Sequence, residues 1–345
     1  MLKDYLSQVI AGRHFSREEA KNAMQVIMSG KSSEAQIAAF LTAMRMKGET
    51  SMEVAGFAET MRSQALRVEC KSPRIIDTCG TGGDQRGTFN ISTAVAFVLA
   101  GAGLNVAKHG NRGVSSPCGS ADVLKALGIE LELPPQGVAE AIDTIGVGFI
   151  FAPRFHQAMK YAVNSRQELG FRTVFNLLGP LTNPAGAHCQ LIGVYDPALT
   201  TKTAQALAEL GITRAMVVHS LDGLDEISTA LPTKVAEVYQ GEIRSYVIDP
   251  KAYGFSTCTQ ADYRGGTVED NARIILALLN GEQGFKRDIV LINAAAALVV
   301  AEAAADIREG LQIAALSIDT GAALGKLAAL RKFTQGYQEE GLALS

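Results

Sequence analysis

The stretch "DTCGTGGDQRGTFNIST", Asp77–Thr93, joins the apolar run "RII" to the apolar run "AVAFVLAGAG". It holds four glycines, Gly80, Gly82, Gly83 and Gly87, with an acidic residue, Asp84, directly after the third. Glycine reaches positive φ without a steric penalty and lets backbone N–H groups come close to a ligand. The run before the loop reads as a buried strand, and the run after it as a helix from about Ser92 to Ala102. A glycine loop feeding a helix N-terminus offers backbone donors and a positive dipole end, which together suit a phosphate group. Asn90, Ser92 and Thr93 add side-chain donors there. No Gly-Lys-Ser/Thr follows, so this is not a Walker A loop, and the spacing is not GxGxxG.

Working outward, the layout recurs. "LNVAKHGNR" is a short strand running into the loop "KHGNRGVSSPCGS", Lys108–Ser120, with a helix near Ser120–Leu127. That loop collects Lys108, His109, Asn111, Arg112 and three serines, more distinct donors than a solvated turn needs. A third loop, "DGLDEIS" (Asp222–Ser228), follows the strand "RAMVVHS" and carries the adjacent carboxylates Asp225 and Glu226, hard oxygen ligands suited to Mg²⁺. An isolated Asp-Glu pair is ordinarily a charged turn; two donor-rich loops elsewhere in the chain change that reading. "ELEL", "GVGFIFAP" and "CQLIGVYD" read as further strands, and "KVAEVYQGEIRSYVID" as a hairpin turning at Gly241. Strands alternating with helices predict an α/β layer structure, and the hairpin predicts a mixed sheet.

The segment before the glycine loop reads as all helix. Ser16 with Glu19, Ser33 with Gln36, and Thr50 with Glu53 are capping boxes, and Gly30 and Gly48 fall where the first two helices should stop. These short helices predict a small bundle that is incomplete alone, followed by a linker, "LRVECKSP".

Composition narrows the function classes. Of 345 residues 47% are hydrophobic and 19% charged, and the net charge is −3, so the chain is globular and not built to capture nucleic acid or an acidic membrane in bulk. Any anionic substrate must be handled by local donors or a metal ion. Five separated cysteines without a CxxC pair, and no signal-like N-terminus, point to reduced thiols in a cytoplasm. "IVLINAAAALVVA" from Ile289 is too short to span a bilayer and contains Asn293, so it reads as a buried helix.

Over nearly the whole chain the motifs "DTCGTGGD", "TFNIST", "KHGNRGVSS", "GSADVLKALG", "RQELGFRTVFNLLGPLTNP", "DGLDEIS" and "NAAAALVVA" occur in one order that resembles the anthranilate phosphoribosyltransferases. The resemblance implies a small all-helical domain over 1–73, with a returning segment near 166–183. It also implies a larger α/β phosphoribosyl diphosphate-binding domain over 74–345 with a central mixed sheet, as in nucleoside phosphorylases and phosphoribosyltransferases. The active site would lie between the domains, and members usually form homodimers through the helical ones. The substrates would be 5-phosphoribosyl 1-diphosphate and anthranilate.

Site roles carry over from the same motifs. Gly80, Gly83, Asp84, Thr88, Asn90, Ile91, Ser92 and Thr93 would line the phosphoribosyl diphosphate site, completed by Lys108, Asn111, Arg112, Ser115, Ser116 and Ser120. Ser92, Asp225 and Glu226 would hold Mg²⁺. Gly80, Asn111 and Arg166 would meet anthranilate, with His109, Pro153 and His156 nearby. No general base is implied, because an arylamine is nucleophilic when neutral. Gly113, Pro117 and Cys118 depart from the common loop, which has Ser, Lys and Ser there; Cys118 is then either a reactive thiol near a helix N-terminus or a small filler. Two rival readings remain on the same scaffold: a pyrimidine nucleoside phosphorylase, and a non-catalytic binding module. The first lacks a counterpart of the "RQELGFR" run, and the second has no use for Asp225 and Glu226.

Overall fold

A computed structural model describes residues 1–113 and 117–343, with side chains to Tyr337. Four helices come first: α1 (Leu2–Ile10), α2 (Arg17–Met28), α3 (Glu34–Lys47) and α4 (Ser51–Gln64). The last three start on the capping boxes. In α4, Glu53 N–H donates to Thr50 Oγ1 at 3.2 Å and Thr50 N–H returns a bond to Glu53 Oε2 at 2.8 Å. Gly30 and Gly48 follow α2 and α3 with φ of 71° and 82°, which stops both helices. The sequence reading had no α1.

The larger domain begins with β1 (Ile75–Asp77), α5 (Ile91–Gly101), β2 (Asn105–Gly110), α6 (Ser120–Ala126), α7 (Pro135–Ile145), β3 (Val147–Phe151) and the short α8 (Ala152–Phe155). Two helices, α9 (Lys160–Leu169) and α10 (Phe175–Leu181), precede β4 (Cys189–Gly193), α11 (Leu199–Glu209), β5 (Arg214–Ser220) and the hairpin β6 (Thr233–Tyr239) and β7 (Glu242–Ile248). Helices α12 (Val268–Leu279), α13 (Phe285–Val300), α14 (Ile307–Asp319) and α15 (Ala322–Ala343) complete it. The "ELEL" segment, 130–133, is not a strand. Leu131 and Leu133 are buried on alternate positions, which mimics strand patterning, but Pro134 and Pro135 follow at once and start α7.

The seven strands form one sheet in the order β3-β2-β1-β4-β5-β6-β7. Pairing is parallel from β3 to β5 and antiparallel across β6 and β7, so the sheet is mixed. The chain runs outward from β1 to β3 and then returns to place β4 on the other side of β1. Loops leaving β1 and β4 therefore diverge and open a crevice at the carboxyl ends of the strands.

α13 is buried against α5, β4 and β5. Among the described residues no single helix is long and apolar enough to cross a membrane. The bundle does not close its own core. Ala162, Phe175, Leu177 and Leu181 from α9 and α10, and Leu207 and Val217 from α11 and β5, belong to the same apolar cluster as Met24, Ile37, Phe40 and Phe57.

Candidate active site

The glycine loop follows β1, the Lys108–Ser120 loop follows β2, and the carboxylate loop follows β5, all at the carboxyl end of the sheet. Gly82, Gly83 and Gly87 have φ of 62°, 80° and 66°. Gly80 serves a different purpose, close packing. A Cβ there would lie 3.2 Å from the Gly193 carbonyl and 3.3 Å from Asp225 Oδ2. Without it, the loop rests on the end of β4 and on the carboxylate loop, and Thr81 N–H donates to the Gly193 carbonyl at 2.8 Å.

Asp84, Asp225 and Glu226 lie close enough behind this loop to feel one another's charge. Burial first, then the neighbouring Asp84, raises the Asp225 carboxyl to about 7. Burial and then Asp225 push Glu226 well above the ordinary range, while Lys108 pulls it down. Asp84, read from sequence as a phosphate-side residue, also sits beside the acidic pair. Carboxylates gathered in a half-buried place fit a divalent cation, and all the donors are hard oxygens.

The start of α5 is spoken for. Ile91 N–H donates to the Phe89 carbonyl and Thr93 N–H to the Asn90 carbonyl. Ile91 and Thr93 are buried side chains, and Thr93 Oγ1 has no partner. Lys108 is buried too; its Nζ donates to the Thr78 carbonyl at 3.0 Å and to Ser92 Oγ at 3.2 Å, beside the carboxylates. Thr88 bridges to Arg264.

The second loop folds back on the first. Asn90 Nδ2 donates to the Cys118 carbonyl at 3.2 Å, and Cys118 Sγ donates to Asn90 Oδ1 at 3.3 Å. Burial raises the Cys118 thiol to about 11, which favours the thiol over the reactive thiolate. The Asn111 carbonyl accepts Ala121 N–H and Ser120 Oγ, and Arg112 is exposed with its guanidinium 5.8 Å from the Phe151 ring centre. Ser115 and Ser116 lie outside the described residues.

On the other flank, His109 and His156 are buried with ring centres 5.2 Å apart. Burial lowers them to about 3 and about 4, so both are neutral. His109 Nδ1 lies 3.1 Å from the Gly179 carbonyl and takes the proton that donates to it. Pro153 is exposed on α8. Arg166 falls in the last turn of α9, not at a helix start, because the helix begins at Lys160 and Gly170 ends it at φ 63°. Its guanidinium sits 5.1 Å over the Phe175 ring. Asp77, Cys79 and His109 have donor atoms within 4.8 Å of one another. The Asp77 oxygens are already taken by His109 N–H and Asn183 Nδ2, and burial raises the Cys79 thiol to about 12, so this trio is structural.

Sequence reading missed Arg172 as a site residue, although it lies in the quoted "RQELGFR" run. Its guanidinium donates to the Gly83 carbonyl and stacks 4.1 Å from the Tyr195 ring centre. Tyr195 N–H in turn donates to Thr81 Oγ1 at 3.1 Å, so the segment after α9 is clipped to the glycine loop.

The same two-part layout occurs in known proteins. Residues 3–65 match the glycosyl transferase family, helical bundle domain, and residues 72–324 match the glycosyl transferase family, a/b domain. An anthranilate phosphoribosyltransferase of Moorella thermoacetica is 55% identical over 337 residues, 98% of this chain and 99% of the relative. The solved anthranilate phosphoribosyltransferase of Thermus thermophilus superposes with a TM-score of 0.91 at 40% identity, covering 96% of this chain and 99% of that one. The Saccharomyces cerevisiae enzyme, solved with PRPP and Mg, gives a TM-score of 0.90 at 27% identity, covering 97% and 98%. With sequence, domain order and three-dimensional shape agreeing from end to end, the chain belongs to the anthranilate phosphoribosyltransferase family.

Proposed function

We propose that the chain transfers the 5-phosphoribosyl group of 5-phosphoribosyl 1-diphosphate to the amine of anthranilate, with the diphosphate held between the glycine loop and the carboxylate loop. The convergence of Asp84, Asp225 and Glu226 beside positive-φ glycines at the sheet's switch point carries this reading. Asp225 and Glu226, with the Ser92 hydroxyl, are the residues that would hold Mg²⁺. Bound there, the ion would neutralise charge growing on the leaving diphosphate.

The remaining work falls to the chain. Backbone N–H groups of the glycine loop and the exposed Arg112 meet phosphate oxygens. Lys108 holds Ser92 in place and offsets the half-buried acids. Arg166 takes the anthranilate carboxylate and Asn111 lies on the same acceptor side. The neutral pair His109 and His156 forms a wall and carries no proton in the step. Positioning and electrostatics supply the acceleration. The domain boundary falls at Pro73 and Arg74, the chain pairs as a homodimer through its helical domain, and the enzyme works in the cytoplasm. Loss of anthranilate fluorescence on adding 5-phosphoribosyl 1-diphosphate and Mg²⁺ tests the reaction. Unchanged fluorescence with folded protein rejects it.

Gly83 gives a narrower test. At φ 80° an alanine is strained by about 1–2 kcal/mol. Gly83→Ala is expected to raise KM for 5-phosphoribosyl 1-diphosphate about 5- to 30-fold, to leave KM for anthranilate alone, and to lower Tm by only a few degrees. A large drop in Tm with normal KM would make the loop purely structural.

A further inference from the structure

The carboxylate loop has a mechanical problem. Residues 221–232 form no regular element, and the backbone bends at Asp225 and Glu226. Neighbouring residues of an extended chain point to opposite sides, so two adjacent carboxylates converge only if that bend is held. Something outside the loop has to fix the peptide.

Two residues elsewhere in the chain do so. Asn293, in the middle of α13 and fully buried, accepts Ile227 N–H on Oδ1 at 2.9 Å. Its Nδ2 donates to the Ile227 carbonyl at 2.8 Å and to the Ile289 carbonyl at 2.8 Å. One acceptor and two donors are all in use, which neither a carboxylate nor an aliphatic side chain of this size can imitate. On the opposite side, Gly193 at the end of β4 lies against the Asp225 backbone, and a Cβ there would overlap the Asp225 carbonyl. The acidic peptide is thus seated between a carboxamide grip just after Glu226 and a missing side chain under Asp225.

We infer that Gly193 and Asn293 are positioning residues for the carboxylate pair: they hold the Asp225–Glu226 bend, so that a divalent cation meets carboxylates already in place. The inference rests on the reading that Asp225 and Glu226 hold the cation. Residues that orient ligating carboxylates are generally worth about 10- to 100-fold in metal affinity. "NAAAALVVA" was legible as a buried helix, but its one polar residue gave no hint of its partner.

Manganese serves as the probe, with binding to the full-length protein followed by electron paramagnetic resonance in the presence of 5-phosphoribosyl 1-diphosphate. Asn293→Ala, Asn293→Asp and Gly193→Ala are each expected to weaken Mn²⁺ binding about 10-fold or more. Ser317→Ala, which removes a buried 2.8 Å hydrogen bond to the Val98 carbonyl away from the loop, is the stability control. It is expected to lower Tm and leave Mn²⁺ affinity unchanged. If Asn293→Ala does not fold, Gly193→Ala decides alone. Wild-type Mn²⁺ affinity in the folded variants, or an equal loss in Ser317→Ala, overturns the inference. If Asp225→Ala/Glu226→Ala binds Mn²⁺ like wild type, the carboxylate reading itself fails, a result distinct from either of those.

Discussion

Replacing both Asp225 and Glu226 by alanine is expected to lower kcat/KM at least ~100-fold, about 2.7 kcal/mol of transition-state stabilisation. The chain has a net charge of −3, so bulk charge cannot hold a diphosphate. Charge has to be balanced locally, where burial makes each interaction strong. Removing two of three convergent carboxylates removes the hard-oxygen set that recruits Mg²⁺, and the leaving group then departs without its counter-charge. Stability is expected to move the other way. Asp225 and Glu226 are half-buried beside each other and Asp84, and burial disfavours their charged forms, so without metal the double variant should melt no lower than wild type. Activity measured across a Mg²⁺ titration, beside a melting curve in chelator, checks both halves. Near-normal activity of the double variant at limiting Mg²⁺ removes the assignment.

Arg166→Lys is expected to raise KM for anthranilate about 10- to 100-fold and to leave KM for 5-phosphoribosyl 1-diphosphate nearly unchanged. A planar guanidinium meets a carboxylate through two parallel N–H bonds, and a charged hydrogen bond is worth roughly 1.5–3 kcal/mol. Lysine keeps the charge but loses the fork and the stack on Phe175, whose ring lies 5.1 Å below the guanidinium. That ring matters because it fixes the plane of the fork before substrate arrives. Burial already lowers the pKa of Arg166, so an anionic partner gains from meeting it. Kinetics with each substrate varied in turn separates the two constants. An equal rise in both would take Arg166 out of the acceptor site.

Much of this was legible in sequence because local rules and tertiary structure agree. Capping boxes gave three of the first four helices, and the glycine loop fell after β1, as its strand–turn–helix pattern required. The false strand at 130–133 shows the limit: alternating burial under a neighbouring helix imitates a strand until the two prolines are weighed. At the site, residue types were readable but bonding partners were not. Asn90, Ser92 and Lys108 all looked like donors for a ligand, and their contacts to Cys118, Thr78 and one another could not be read from the sequence. Arg172, Gly193 and Asn293 act on loops distant in sequence, and no local pattern announces such a partner.

The shared core of the bundle bears on how the chain is made. Helices α1–α4 are complete at Gln64, but α9, which helps close their apolar side, starts only at Lys160. At a ribosomal rate of ~5–20 residues per second, the intervening roughly one hundred residues take about 5–20 s to appear. Through that interval Met24, Ile37, Phe40 and Phe57 wait for part of their covering. The first helices to leave the ribosome are therefore among the last to reach their final packing.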